Sequence, residues 1–468
     1  MTTATQAEIQ ATTDAYEELY ATGEDKTFTG DDAVRWGKDT LKSTYWSMQE
    51  EIMRSVFDNR LTAVRSCNSV GKTFIASDIA LTFLLNMTPS IVATTAPRFQ
   101  QVRDVLWQEI RTKYELHLAN GMNDIECQQT RLEIAPGWFM VGLSPEKGVG
   151  LQGLHQVNVL VICDEAPGVR LEIMQAAKTL MASGNAHMLW IGNPLESRGE
   201  FYNAFAGGGG WNAKHISYEM TPNFTGEELP ENIKNQLISP QWVDERREEW
   251  GEDSPLFLSS CLGEFPLDNP RAVIPLKLCM DSIAREIVPE GDLDMGIDCG
   301  GGGDLTVYTK KRGNVITEII TESTPDVMQI PYVAMRHHRK ENFRFIKVDK
   351  GGLGHGVVNR MGELDLPVIG VFFGGSANDT EQYVNKRTEL WCNMKKWLEY
   401  GKIPDDPKLV AELTSTQFLD KLTAKGQLQL ESKKETKKRL GRSPDRADSL
   451  ALAVDQVARA SGTGILFL

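Results

Sequence analysis

Apolar positions change period several times along the chain, and the changes mark its elements. The first 40 residues are polar and offer little to a core. From Trp46 onward, apolar runs of strand length alternate with stretches of helical period, which predicts an α/β domain. LTAVRS (61–66) reads as a buried strand with a helix starting near Gly71, and SIVATT (90–95) as a second strand. Pro97 suits the first turn of an amphipathic helix reaching about Tyr114. TRLEIA (130–135) and WFMVGLS (138–144) alternate and predict a hairpin. VNVLVICD (157–164) and HMLWIGN (187–193) are continuous apolar runs, as central parallel strands require.

After the glycine run 207–210 the pattern becomes irregular, with a helix over about 239–250 and a Pro/Asp/Asn-rich stretch at 266–275. A second α/β pattern opens at DLDMGIDC (292–299). Strands follow near 304–309, 314–321, 344–349 and 367–373, then helices over about 381–400 and 443–460. The expected division is a lead-in (1–44), a first domain (45–270) with a lid or linker part from about 211, a linker (271–290) and a second domain (291–468). No internal repeat is visible.

Composition changes this picture little. At 468 residues the chain is too long for one ordinary core, and 41% hydrophobic with 24% charged residues is usual for a soluble protein. No apolar run approaches the roughly 18 residues of a membrane span. The acidic, Thr/Ala-rich start lacks a signal pattern, so a cytoplasmic location is expected. Cysteines 67, 127, 163, 261, 279, 299 and 392 form no C-x-x-C pair and read as reduced thiols rather than a zinc site. A net charge of −14 argues against a generic nucleic-acid coat, so any DNA contact must use local basic patches and metal ions.

The first candidate chemistry is the loop Ser66-Cys67-Asn68-Ser69-Val70-Gly71-Lys72-Thr73. It has phosphate-loop spacing except that Ser66 replaces the first glycine. Such a loop curls backbone N–H groups around phosphates, sends its lysine to the β/γ-phosphates and puts a hydroxyl on Mg²⁺. A strand-to-helix turn ending in an exposed lysine is the plain alternative. Asp164 and Glu165, adjacent acids ending an apolar strand, weigh against it: Asp164 is placed to support magnesium and Glu165 to orient or deprotonate the attacking water. Gln49 is either an adenine reader or a surface helix residue. Arg65 either meets the γ-phosphate or pairs with an acid elsewhere.

The second candidate is a set of carboxylates. Asp298 and Asp349 each end an apolar strand, and Asp445 and Asp448 share one face of a helix for which Ser443 is the expected N-cap and Pro444 the first residue. Two strand-tip acids and a helix-borne acid can hold a pair of divalent ions that clamp the attacking and leaving oxygens of a phosphodiester. Asp445 is alternatively a helix-terminus charge, and Asp304 a turn residue. The densest basic segment, with Lys433, Lys434, Lys437, Lys438, Arg439, Arg442 and Arg446, is either a solvated loop or a contact for the phosphate backbone.

Together these segments resemble the large terminase subunit of tailed double-stranded DNA phages. The matching texts are YWSMQ (45–49), VRSCNSVGKT (64–73), TTAPRFQQVRDVLWQEI (94–110), GVGLQGLHQVNVLVICDEA (148–166), WIGNPLESRGEFY (190–202), LGEFP (262–266), VDKGGLGHGVVNR (348–360) and SKKETKKRLGRSPDRADSLALA (432–453). The resemblance implies an α/β chain with an N-terminal P-loop NTPase domain of the RecA or additional-strand type and a C-terminal RNase H-like nuclease domain. It implies a viral packaging motor that pumps double-stranded DNA into a procapsid and cuts the concatemer with a two-metal endonuclease. ATP and Mg²⁺ serve the first site, and Mg²⁺ or Mn²⁺ the second. Carried over, Lys72 and Thr73 bind ATP–Mg²⁺, Asp164 supports the metal, Glu165 is the ATPase acid, and Asp298, Asp349 and Asp448 are nuclease ligands. Asn193 matches a coupling position, though a polar cap on a core strand explains it as well. Arg198 is read as a subunit-contacting arginine. The implied partners are the portal and procapsid, a small terminase subunit and further copies in a ring, in the host cytoplasm. Family loops usually carry glycine where Cys67 and Ser69 stand, which implies weakened nucleotide binding. The competing readings are a helicase or translocase whose second domain binds DNA without cutting it, and an adaptor with a decayed loop.

Overall fold

The computed structural model describes residues 28–119, 125, 127–144, 156–182, 184–207, 209–266, 271–301, 305–419, 422–423 and 425–456. Asp304, residues 1–27, the segment 145–155 and the expected helix end beyond 456 lie outside them. Part of the expected polar lead-in is core-forming. Thr29 and Asp32 make a reciprocal capping box that starts helix α1 (Gly30–Asp39), which buries Ala33 and Val34. Asp58, at the end of α2 (Ser47–Asp58), accepts the Gly30 N–H at 2.7 Å and locks the two helices together.

Seven strands form the first sheet: β1 (Leu61–Ser66), β2 (Ser90–Thr95), β3 (Arg131–Ala135), β4 (Trp138–Gly142), β5 (Asn158–Asp164), β6 (Asn185–Gly192) and β7 (Asn212–Ile216). Their order is β3-β4-β2-β5-β6-β1-β7, parallel except for the expected β3–β4 hairpin. The strand β6 is inserted between β1 and β5. This is the additional-strand arrangement, and it puts the tip of β6 between the loop after β1 and the acids after β5. α3 (Lys72–Asn86) follows the loop and is buried along most of its length; its sequence is mainly apolar, and the buried Asp78 within it is paired with Lys113. The helix expected from Pro97 starts later, at Phe99, and passes through a π-helical turn (Val102–Leu106) before α4 (Trp107–His117). A short helix α5 (Pro255–Ser260), capped by Ser254, ends beside the phosphate loop.

The second sheet has five strands: β8 (Leu293–Asp298), β9 (Thr306–Arg312), β10 (Val315–Glu322), β11 (Phe345–Asp349) and β12 (Val368–Val371). The order β10-β9-β8-β11-β12 joins an antiparallel meander to a parallel pair, the RNase H-like arrangement. Four helices supply its site: α6 (Lys386–Leu398), α7 (Pro407–Ser415), α8 (Lys433–Leu440) and α9 (Asp445–Val454). α9 lies directly on β8. A Cβ at Gly296 would come 2.3 Å from Ser449 O, so only glycine admits this approach. The Ser449 hydroxyl sits 3.0 Å from the Gly296 carbonyl and 2.8 Å from the Thr309 hydroxyl. Ser443 is not the N-cap of α9: Pro444 occupies that position, and the Ala447 N–H is satisfied by Glu412 Oε2 from α7 at 3.0 Å. A buried acid from another helix thus does the expected local capping. The basic segment is likewise a helix, α8, capped by Ser432, not a loop.

Candidate active sites

The loop after β1 is gripped from three sides. Gln49, nearly fully buried, donates Nε2 to the carbonyls of Val70 (3.3 Å) and Gly71 (3.4 Å), while Trp46 Nε1 donates to Val70 O. Gln49 is therefore a brace for the loop and not a surface residue. Gly71 has φ 77°, and a Cβ there would lie 2.4 Å from Gln49 Nε2, which makes this glycine indispensable. Ser69 also adopts a positive φ of 51°, and its carbonyl accepts the Ile238 N–H. The N–H groups of Cys67 and Asn68 bond to Ile216 O and Ser260 O. The first half of the loop is thus anchored to protein through its backbone. Ser66 is fully buried, its hydroxyl bonded to Cys67 O. Cys67 points into the core, where burial pushes its thiol up to about 12.

Lys72 Nζ donates to Asn193 Oδ1 at 2.9 Å and to Cys67 O at 3.1 Å, and Asn193 Nδ2 returns a bond to Ser66 O at 2.8 Å. Asn193, just past β6, therefore bridges the loop and its lysine. The plain cap reading is too weak for it. Thr73 Oγ1 faces Asp164 Oδ2 at 3.5 Å. Burial, and then the neighbouring Glu165 charge, pushes the Asp164 carboxyl well above the usual carboxylate range. Glu165 adopts a left-handed conformation (φ 48°), and its N–H caps Asp164 Oδ1. A Cβ at Gly192 would touch Pro167 and Ala166, so the glycine makes room for this strained turn. Arg65 does not turn toward the loop. It forms an ion pair with Glu264, donates to Gly263 O at 2.8 Å and lies over the rings of Phe205 and Phe265. The expected γ-phosphate contact is thus replaced by the alternative, a strand-end arginine held by a distant acid. Arg198 is exposed and pairs with Glu196.

In the second domain Asp298, Asp445 and Asp448 converge, but on Lys433. Its Nζ lies 3.0 Å from Asp298 Oδ2, 3.1 Å from Asp445 Oδ1 and 3.1 Å from Asp448 Oδ2. Lys433 is thus not a free DNA contact; it is the counter-charge of the acids. Asp349 sits nearby, its Oδ1 taking the Gly351 N–H at 3.0 Å, and burial raises its pKa. Burial also drives Asp298 upward against the pull of Lys433. For Asp448 burial acts in the same direction, but Arg387 and Lys433 outweigh it and the net shift is downward. Among the described residues no three His, Cys, Asp or Glu side chains gather directly as a metal site, because the lysine stands between the acids. The donor set still fits a hard divalent cation: every donor is a carboxylate oxygen, and fully buried Asp448 Oδ2 has no hydrogen bond of good geometry.

Of the other basic residues, Lys434, Lys437 and Lys438 are exposed on α8. Arg439 is tied to Glu431 at 2.7 Å. Arg442 donates to Glu249 O at 2.6 Å, joining the two domains, and Arg446 pairs with Asp406. Both arginines of the expected DNA-binding set, Arg439 and Arg442, are structural straps. Sequence reasoning misses Arg387 and Trp391. Trp391 Nε1 donates to Asp448 Oδ1 at 2.8 Å and Arg387 Nε lies 3.4 Å from the same oxygen. Their i, i+4 spacing on one buried helix face is the available signal, since a buried guanidinium and indole both require acceptors.

These two sheets and sites define a chain with an additional-strand P-loop NTPase domain followed by an RNase H-like domain. Over 451 residues it is 22% identical to the "Probable terminase, large subunit" of Enterobacteria phage P7, covering 88% of each chain. The resemblance to large terminase subunits thus runs nearly end to end. Structural neighbours are the nuclease domain of the large terminase subunit gp2 of bacterial virus Sf6 and the large terminase of a thermophilic bacteriophage. The first is 19% identical, covering 40% of this chain and 100% of that one with TM-score 0.36. The second is 11% identical, covering 91% and 97% with TM-score 0.41. No protein-family model matches the chain.

Proposed function

We propose that this chain is the ATP-driven motor and nuclease of viral genome packaging, translocating double-stranded DNA into a procapsid and cutting the concatemer. The supporting observation is the coexistence, on one chain, of the Lys72–Asn193–Asp164 loop site and the carboxylate cluster around Lys433. In the first site Lys72 meets the phosphates of ATP, and Glu165 holds and deprotonates the attacking water. Thr73 and Asp164 would hold Mg²⁺, which neutralises charge on the phosphates when bound. Asn193, released from Lys72 when phosphate takes the lysine, carries the change to Ser66 and β6. In the second site Asp298, Asp349, Asp445 and Asp448 would hold Mg²⁺ or Mn²⁺, which supplies charge stabilisation to a phosphodiester under attack. Exposed Lys434, Lys437 and Lys438 on α8 bind the DNA backbone beside it. On this reading the partners are the portal, a small terminase subunit and copies of the chain in a ring, in the host cytoplasm.

The test is paired. ATP turnover and Mg²⁺/Mn²⁺-dependent plasmid cleavage are measured for the wild type, Lys72→Ala and Asp298→Ala. Each substitution is expected to remove one activity and spare the other. Absence of both activities from folded wild type assembled with its portal would overturn the reading, and cleavage surviving in Asp298→Ala would overturn its nuclease half.

A further inference from the structure

Arg387 stands at the start of α6 and is buried, with 9% of its surface exposed. Its backbone N–H bonds to Phe373 O, two residues beyond the Val371 that pairs with Asp349, which ties the start of α6 to the end of β12. The guanidinium is used unevenly. Nε lies 3.4 Å from Asp448 Oδ1 and Nη1 donates to Glu431 O at 3.2 Å, while buried Nη2 has no acceptor. Asp448 is used unevenly too: Oδ1 receives Trp391 and Arg387, but Oδ2 has only the ion pair with Lys433.

Arg387 thus keeps one buried donor without an acceptor, while Asp448 Oδ2 beside it is met only by the Lys433 ammonium. Leaving the donor so costs about 1–3 kcal/mol, a cost that persists in a folded protein when something else meets it. A divalent cation satisfies the acceptor, and an anionic oxygen accompanying it satisfies the donor. A phosphodiester arriving at a cation-loaded carboxylate site brings that combination.

We propose that Arg387 performs two tasks in this site: through Nε it helps Trp391 orient Asp448, and through Nη2 it donates a hydrogen bond to a non-bridging oxygen of the DNA phosphodiester. Trp391 performs only the first task, as a positioning residue. This rests on the nuclease reading of the cluster. The division of labour gives the two residues different signatures, since loss of orientation weakens cation binding and loss of the donor weakens DNA binding separately.

The experiment uses the full chain as wild type, Trp391→Phe, Arg387→Ala and Arg387→Lys. Mn²⁺ binding is measured by calorimetry without DNA, and binding of a short duplex by fluorescence anisotropy in saturating Ca²⁺. Plasmid cleavage is followed in Mn²⁺, and the cooperative thermal melt of the second domain reports that each variant is folded. Trp391→Phe and Arg387→Ala are expected to weaken Mn²⁺ binding by about tenfold. Only Arg387→Ala, and Arg387→Lys with its charge kept but its fork lost, should also weaken duplex binding, by about five- to tenfold. Equal duplex affinity for Arg387→Ala and Trp391→Phe would overturn the phosphate contact, and wild-type Mn²⁺ affinity in both would overturn the orienting role. If Arg387→Ala loses that melt, Arg387→Lys decides the matter: unchanged duplex affinity there overturns the proposal. A wild type that binds Mn²⁺ and duplex without cutting would overturn the nuclease reading while the binding comparison still judges Arg387.

Discussion

Replacing Lys433 by alanine should have opposite consequences with and without divalent cations. The ammonium lies 3.0–3.1 Å from three carboxylates, of which Asp448 is fully buried and Asp298 nearly so. At such distances each attraction is worth about 5 kcal/mol at an effective dielectric near 20, before desolvation is subtracted. Removing one partner of a buried pair typically costs about 3–5 kcal/mol. The lysine side chain is 39% exposed, so screening reduces the figure to about 2 kcal/mol. For a domain of this size that is a loss of about 4–8 °C in the melting temperature of the second domain in EDTA. In Mn²⁺ the sign reverses, because lysine and cation compete for the same oxygens. Lys433→Ala should then bind Mn²⁺ about ten- to a hundredfold more tightly, a gain of about 1.4–2.8 kcal/mol. Calorimetric titration and thermal melts in EDTA and in Mn²⁺ measure both halves. A variant that melts like the wild type in EDTA and binds Mn²⁺ no better would refute the idea that Lys433 holds the place of a cation.

Gly71→Ala should reduce ATP turnover more than tenfold and leave Mn²⁺-dependent cleavage intact. Positive φ costs alanine about 1–2 kcal/mol and its Cβ displaces the Gln49 amide, and wild-type turnover would contradict this. Asn193→Ala removes the hydrogen bond that presents Lys72, so kcat for ATP should fall about tenfold or more with a smaller change in KM; the reverse pattern would make Asn193 a plain binding residue. His187, buried on β6 against Val56 O and Asn59 O, has its pKa lowered chiefly by burial. Its stabilising contribution is therefore complete above its ordinary pKa of about 6.5 and is lost as the pH falls through its lower folded value. Denaturant melts between pH 7 and 5 should show His187→Gln with a flatter loss of stability, by at most about 1.4 kcal/mol per pH unit, and parallel curves would exclude His187 as the cause.

How much of this is legible in the sequence depends on whether a residue's partner is local. β1, β5, β8 and β11 are readable because each is a mainly apolar run of strand length, and the last three end in the acids Asp164, Asp298 and Asp349. The spacing from Gly71 to Thr73 and the pair Asp164–Glu165 survive intact because loop and strand tip are each a short contiguous stretch. Arg65 is ambiguous because its partner, Glu264, lies about 200 residues away, and no local pattern chooses between an acid there and a phosphate. Lys433 misleads for a related reason. In a run of lysines nothing marks the one that the N-terminus of a helix aims at Asp298, Asp445 and Asp448. The capping of α9 by Glu412 in place of Ser443 escapes the sequence in the same way, since a long-range acid overrides a plausible local signal.

The two sites handle their lysines in opposite ways, and this bears on how one chain can carry both. Lys72 rests on neutral acceptors, Asn193 Oδ1 and Cys67 O, so a polyphosphate offers it a much stronger partner and the exchange frees Asn193. Lys433 rests on three carboxylates, so nothing anionic will draw it away while they are bare; a cation must first take the oxygens. On the proposed function, the loop site is thus set to respond to ATP directly. On the proposed nuclease function, the carboxylate site would respond to DNA only after a cation has displaced Lys433 from the acids. On the proposed packaging function, such ordering would favour translocation over cutting wherever divalent cations occupy the second site only in part, because nucleotide turnover would proceed without the rearrangement that cleavage demands. Lys433→Ala removes that ordering, and its cleavage should saturate at a lower Mn²⁺ concentration than that of the wild type even if its duplex affinity is weaker.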